Sequence, residues 1–278
     1  MEIMSPPPIL VIDLFPELRK QLLSLLDALG PDEWLLPTAA GTWNVNDVAL
    51  HLLGGDIGIL SRRRDRYTPP GASITTWEDL VSLVNRLNAS WVDAARRMSS
   101  RVLRDLLAFT GPQVERYFLS LDPLAVGEAV SWAGPQPAPV WLDLAREYTE
   151  RWHHQQQIRD ATGRPDLYEP RLFAPVLETF VRALPHTYRD VPASDGVEVQ
   201  LTISGPAGGQ WIVRRDAAAW RLFAGGSATA AAQVTIAAQD AWKIFTRGIR
   251  GAEALRRAEI SGDRALGSKV LEMVSVIA

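Results

Sequence analysis

A chain of 278 residues, 47% hydrophobic and 22% charged, has material for a packed core in one large domain or two ordinary ones. Its net charge of −3 gives no electrostatic reason to expect nucleic acid as a partner. It has no cysteine, which excludes a disulfide framework, a thiolate nucleophile and Cys-ligated zinc, so any thiol chemistry would use a thiol brought in by a ligand. The apolar stretch at residues 6–12 lacks the basic flank and small-residue cleavage site of a signal peptide. No apolar run approaches the roughly 20 residues that span a bilayer. The expectation is a cytoplasmic protein with no membrane contact.

In chain order, Leu18, Leu22, Leu25, Leu26 and Leu29 recur at helical spacing after Pro16, and Gly30-Pro31 ends that run. A second helix begins near Asn44 and carries Val45, Val48, Leu52 and Ile59. Asn44 suits the N-cap, and Asp47 sits where a capping-box acid reaches back. Thr76 caps a third helix with Leu80, Leu83, Val84, Leu87 and Trp91 on its inner face. Residues 102–121 are helical in pattern, with a break or kink expected at Gly111-Pro112. Residues 122–139 are rich in Pro, Gly and Ala and read as a long loop. A helix over residues 141–162 ends at Gly163.

The character changes after Gly163-Arg164-Pro165. Residues 173–184 form an amphipathic helix, and residues 197–203 alternate as a half-buried strand does. Residues 210–215, 220–223 and 233–237 are further short strands. Residues 239–247 and 264–277 read as helices. The expected fold class is multi-domain, with an antiparallel helical bundle over 1–165 and a smaller α+β domain over 166–278.

The histidines number four: His51, His153, His154 and His186. Glu150 and His154 are four residues apart and share one helix face, one turn apart. With His51 from the second helix they make two imidazoles and a carboxylate. That donor set suits zinc or a similar first-row ion, and three protein ligands leave a position for water or substrate.

The local sequence around these residues resembles a known family. Trp43-Asn-Val-Asn-Asp-Val-Ala-Leu-His51 is similar to the first metal motif of DinB-like and mycothiol-dependent maleylpyruvate isomerase proteins, and Glu150-Arg-Trp-His-His154 with the following Gln-Gln-Gln-Ile-Arg to their second. The resemblance covers about the first 165 residues and implies a four-helix bundle holding a metal through His51, Glu150 and His154. Ile260-Ser-Gly-Asp263 and the apolar stretch after it resemble the end of a sterol carrier protein-like domain, which follows the bundle in the isomerase family.

Competitors at the second motif are weighed by helical phase. His153 points about 100° away from His154, so one of the two shares Glu150's face, and phase and the family pattern both select His154. Glu147 lies two turns from His154 and is read as an outer or surface acid. Asp47 is read as the helix cap, and Asp56 lies off the face of His51. Trp132, in the loop before the last bundle helix, is a candidate lining residue. His186 is read as a surface histidine. Arg214, Arg215 and Arg221 are candidates for an anionic substrate by charge alone.

The resemblance implies a divalent metal (zinc, with nickel or manganese as alternatives) and mycothiol or another low-molecular-weight thiol. The partner is then a small electrophilic substrate, and the reaction isomerisation or thiol transfer. Two other readings stay open: a non-catalytic binder of an apolar ligand with a structural metal, and a metal-dependent hydrolase. The oligomeric state is open too.

Overall fold

The structure, a computed structural model, describes residues 4–68 and 76–275. By contact these residues group into two compact units. The helical unit takes Val11–Asp122 and Glu150–Leu167; the other takes the described residues up to Leu10, Pro123–Thr149, and those from Tyr168 onward.

The helical unit contains α1 (Phe15–Asp27), α2 (Val45–Gly58), α3 (Trp77–Ala95), α4 (Ser100–Leu119) and the second part of α5 (Val140–Thr162). Leu18, Leu22, Leu25 and Leu26 are the buried stripe of α1. The helix stops at Asp27, before the expected Gly30, and a single 3-10 turn over Pro31–Leu35 follows. α2 starts as its cap chemistry demands. Asn44 Oδ1 accepts the Asp47 N–H at 2.9 Å, and Asp47 Oδ2 accepts the Asn44 N–H at 3.3 Å. Such a cap contributes about 1 kcal/mol. α2 then widens into a π-helical turn over Ile59–Arg64. α2 packs on α3 and α4, and α1 packs on α4. Leu26, Val45, Val48, Leu53, Val92, Leu103 and Ile158 meet in the core between them.

Two expectations for these helices are corrected. Leu87 is 47% exposed, because α3 buries its C-terminal end, Val92 and Ala95, rather than its middle. α4 runs unbroken through Gly111-Pro112. Pro112 forfeits one helical hydrogen bond, but both flanks are anchored: Thr110 donates to Asp56 at 2.8 Å, and Leu107 and Val114 are buried. Gly111 is tightly covered, since a Cβ there would lie 2.3 Å from the Arg19 side chain. Arg19 crosses it to pair with Glu115 at 2.7 Å.

The second unit is built on a five-stranded sheet: β3 (Glu198–Ser204), β4 (Gly209–Asp216), β5 (Ala219–Ala224), β6 (Ala232–Ala237) and β7 (Ala258–Gly262), in the order β5-β4-β3-β6-β7. The β3–β6 pair is parallel and the others are antiparallel. Val199, Leu201, Ile203, Val234 and Ile236 are buried on one face. α6 (Pro170–Phe180) packs on α8 (Ala238–Phe245), and α8 on β3 and β6; α7 (Leu184–Tyr188) packs on β5. The remaining helices are α9 (Gly251–Arg257) and α10 (Arg264–Lys269).

In this unit too the structure departs from the sequence reading. The expected loop over 122–139 contains a small antiparallel hairpin, β1 (Val126–Ala129) with β2 (Pro137–Pro139). The helix expected over 264–277 ends at Lys269, followed by a 3-10 turn at Val270–Glu272. Ser275 draws the chain out of helix: its N–H donates to Phe245 O and its hydroxyl to Phe180 O, both at 3.0 Å. Residues 276 and 277 of that expectation lie outside the described residues. Among the described residues no helix is long and apolar enough to cross a membrane.

Candidate metal centre

His51 stands in the second turn of α2, and its position follows from the cap at Asn44 that fixes where the helix begins. Glu150 and His154 stand one turn apart on α5, which closes at Gly163 in the left-handed region, φ +63°. The two helices bring all three side chains together. His51 Nε2 lies 3.0 Å from Glu150 Oε1, and His154 Nε2 lies 3.1 Å from the same oxygen. One ligand atom from each residue falls within 4.8 Å of the others, the single such group among the described residues. Ligands about 2.0–2.1 Å from a tetrahedral ion lie roughly 3.4 Å apart, so the two nitrogen–oxygen separations need to open by only a few tenths of an ångström to take one.

The surroundings hold the rings. Trp43 lies against His51, with ring centroids 5.1 Å apart. The His51 and His154 rings meet edge to face at 4.6 Å. His154 Nδ1 lies 2.8 Å from Gln157 Oε1, a buried partner. The Glu150 side chain keeps 33% of its exposure, so the cluster is open on the carboxylate side.

Charge is set by these contacts. Burial pushes the Glu150 carboxyl up, and the imidazoles of His154 and His51 more than reverse that, holding it well below its usual 4.5. Burial lowers His154, but the Glu150 charge and hydrogen bond, with that of Gln157, leave it raised above 6.5. His153, packed flat on His154 at 5.0 Å, is pushed down to about 3 by burial and by the His154 charge, and is neutral.

The other candidates have separate occupations. Asp47 is 2% exposed, caps α2, and accepts from Arg96 at 2.8 and 3.0 Å. Asp56 is held by Thr110 and by Arg151 at 2.9 Å. Glu147 pairs with Arg146. Trp132 is buried and groups with the sheet-containing unit, as does the partly exposed His186. Arg214 stacks over Phe223 at 4.4 Å and faces Glu198, and Arg221 pairs with Asp216 at 3.3 Å, so these two cations are engaged within their own sheet. Sequence reasoning singled out neither Gln157 nor the Asp56–Arg151 pair. The one signal was an unbroken polar run, 155–157, in a helix that had to bury most of its surface.

The family model described as the mycothiol maleylpyruvate isomerase N-terminal domain matches residues 15–159. The chain belongs to that family. All three clustered residues fall inside the matched segment. Among solved structures, this family member is similar to the mycothiol-dependent maleylpyruvate isomerase at 12% identity, covering 85% of this chain and 88% of that one with a TM-score of 0.52. It is similar to a histidine-to-alanine mutant of that isomerase at 11% identity and a TM-score of 0.53, with the same coverage. At that identity the likeness is one of fold. A sterol carrier protein 2 like 2 from Aedes aegypti matches 35% of this chain and 95% of its own at 25% identity, with a TM-score of 0.29. No curated protein matches the chain.

Proposed function

We propose that this chain is a metal-dependent, thiol-cofactor-dependent isomerase or transferase for a small electrophilic substrate, similar to the mycothiol-dependent maleylpyruvate isomerase. His51, Glu150 and His154 hold its divalent ion, on a four-helix bundle within residues 1–165. Residues 166–278 form a sterol carrier-like second domain. The observation that carries the reading is the convergence of both imidazole Nε2 atoms on one Glu150 oxygen, with the carboxylate side open. The donor set fits zinc first, with nickel or manganese as alternatives.

A bound divalent ion supplies Lewis acidity, lowering the pKa of a thiol or water taken up at the open position. The residues do the rest. Glu150 contributes the negative charge that offsets the ion. His154 and His51 present Nε2, and Trp43 covers one side of His51. With no cysteine in the chain, the thiol comes from solution, mycothiol by family likeness.

Elemental analysis of purified protein offered zinc, nickel and manganese, followed by thiol consumption with maleylpyruvate and other electrophiles, tests this. One ion per chain and turnover with mycothiol are expected. No stoichiometric ion in any form sinks the reading. An ion without turnover on mycothiol, glutathione or bacillithiol supports instead a non-catalytic binder of an apolar ligand.

The pH dependence has a definite sign. His154 is raised, so its proton adds stability to the metal-free protein below pH 6.5, lost as pH rises through its folded value. Glu150 is lowered, so its contribution is present above pH 4.5 and lost as pH falls through its folded value. An ion must displace the His154 proton. Metal affinity is therefore expected to climb about tenfold per pH unit below the raised His154 value and to level off above it. Calorimetry in buffers of different ionisation enthalpy checks this through the number of protons released, about one on the slope and none on the plateau.

A further inference from the structure

Residues 155–157 are three consecutive glutamines, and each is buried, at 0%, 0% and 6% exposure. A buried amide without partners is costly, so each has a task. Gln155 donates to Leu18 O at 3.1 Å and accepts from Arg159. Gln156 donates to Asp160 and Asp166, both at 2.7 Å, and accepts the Leu167 N–H at 2.9 Å. These two tie α5 to α1 and to the chain that leaves it. Gln157 faces another way: its Oε1 lies 2.8 Å from His154 Nδ1.

We propose that Gln157 is a positioning residue for the metal centre: its carbonyl oxygen holds His154 as the Nδ1–H tautomer and aims Nε2 at the ion. The inference rests on the metal-centre reading above. A neutral imidazole carries one N–H, and only the other nitrogen can ligate. His154 Nε2 lies 3.1 Å from a carboxylate oxygen, Glu150 Oε1. Left to that acceptor alone, the ring keeps its hydrogen on Nε2, the wrong nitrogen for a ligand facing Glu150. An acceptor on the far side is needed to move the preference, and Gln157 supplies it. Gln157 follows His154 by three residues, so the helix holds the two side chains on one face. His154 is 8% exposed and Gln157 6%, so water competes poorly for Nδ1. His153, stacked on the His154 ring at 5.0 Å, offers a flat surface that fixes the ring plane.

The test uses the full chain with cobalt(II) as probe, in wild type, Gln157→Glu and Gln157→Leu. Wild type is read first: if it takes up no cobalt, the metal-centre reading itself fails, and the inference with it. Given uptake, Gln157→Leu is expected to weaken cobalt binding by about 10- to 100-fold, the range for losing a partner behind a ligating histidine. Its visible cobalt spectrum is expected to change as the ring reorients. Gln157→Glu keeps an acceptor at the same place and is expected to retain the wild-type spectrum and affinity within a few-fold. Unchanged affinity and spectrum in Gln157→Leu overturns the inference while sparing the metal reading. So does a Gln157→Glu variant as weak as Gln157→Leu. Nitrogen-15 NMR of zinc-loaded wild type is independent of any variant's folding: a His154 hydrogen on Nδ1 is expected, and Nδ1 coordination to zinc rejects the assignment. A purely packing role would shift the unfolding temperature of Gln157→Leu and leave the cobalt spectrum alone.

Discussion

His51→Ala and His154→Ala are each expected to lose stoichiometric metal uptake, with affinity falling by more than the ten- to hundredfold that loss of an outer partner causes. Donor number sets the size of the loss. The cluster offers three ligand atoms, and two donors hold a first-row ion far more weakly than three. The fold is expected to survive. Glu150, the group stripped of a partner, keeps enough exposure for water to take the vacated place. His153→Ala is the discriminating control. His153 is more buried than His51 and stands outside the three-residue cluster, so the variant is expected to lose stability and keep the ion. Retained binding in His154→Ala with loss in His153→Ala would exchange the two histidines and defeat the helical-phase argument. The readout is metal content after gel filtration, with competition titration for affinity.

Asp56→Ala is expected to destabilise the helical unit strongly, by about 3–5 kcal/mol. Asp56 and Arg151 pair at 2.9 Å with side chains only 8% and 17% exposed. The Arg151 guanidinium also sits over the Phe15 and Phe118 rings, 5.7 and 5.8 Å from their centroids. Removing the carboxylate takes the 2.9 Å partner from this charge between two aromatic faces and leaves the Thr110 hydroxyl the Leu106 carbonyl, 2.9 Å away, to donate to. Arg151→Met in the same background removes the guanidinium that lost its carboxylate and is expected to recover a large part of the loss. A double-mutant cycle by denaturant unfolding measures this coupling. A cost below about 1 kcal/mol for Asp56→Ala alone would show that water reaches the pair and that it acts like a surface ion pair.

The helices carrying the candidate site were legible because local chemistry sets their ends. Asn44 and Asp47 mark the start of α2, and Gly163 the close of α5, so the phases of His51, Glu150 and His154 followed from counting. The features that were missed depend on partners distant in sequence. Pro112 reads as a helix breaker until Thr110 finds Asp56, 54 residues away. α10 reads as a long helix until Ser275 reaches Phe180, 95 residues away. β7 alternates only over Ala258 to Ser261, half-buried and exposed in turn, and on an edge strand without a fully buried face that run is too short to read. The buried glutamines left only their unbroken polar run as a trace, because a polar residue in a helix reads as solvent-facing until its partner is known.

Trp43 makes the cluster optically addressable. An indole whose ring centroid lies 5.1 Å from the His51 imidazole senses that ring's charge and whatever the ring binds. Open-shell ions such as cobalt or nickel quench indole emission at such range, whereas zinc, with a filled shell, does not. Occupancy and ion identity at this centre are thus written into the fluorescence of the unlabelled chain.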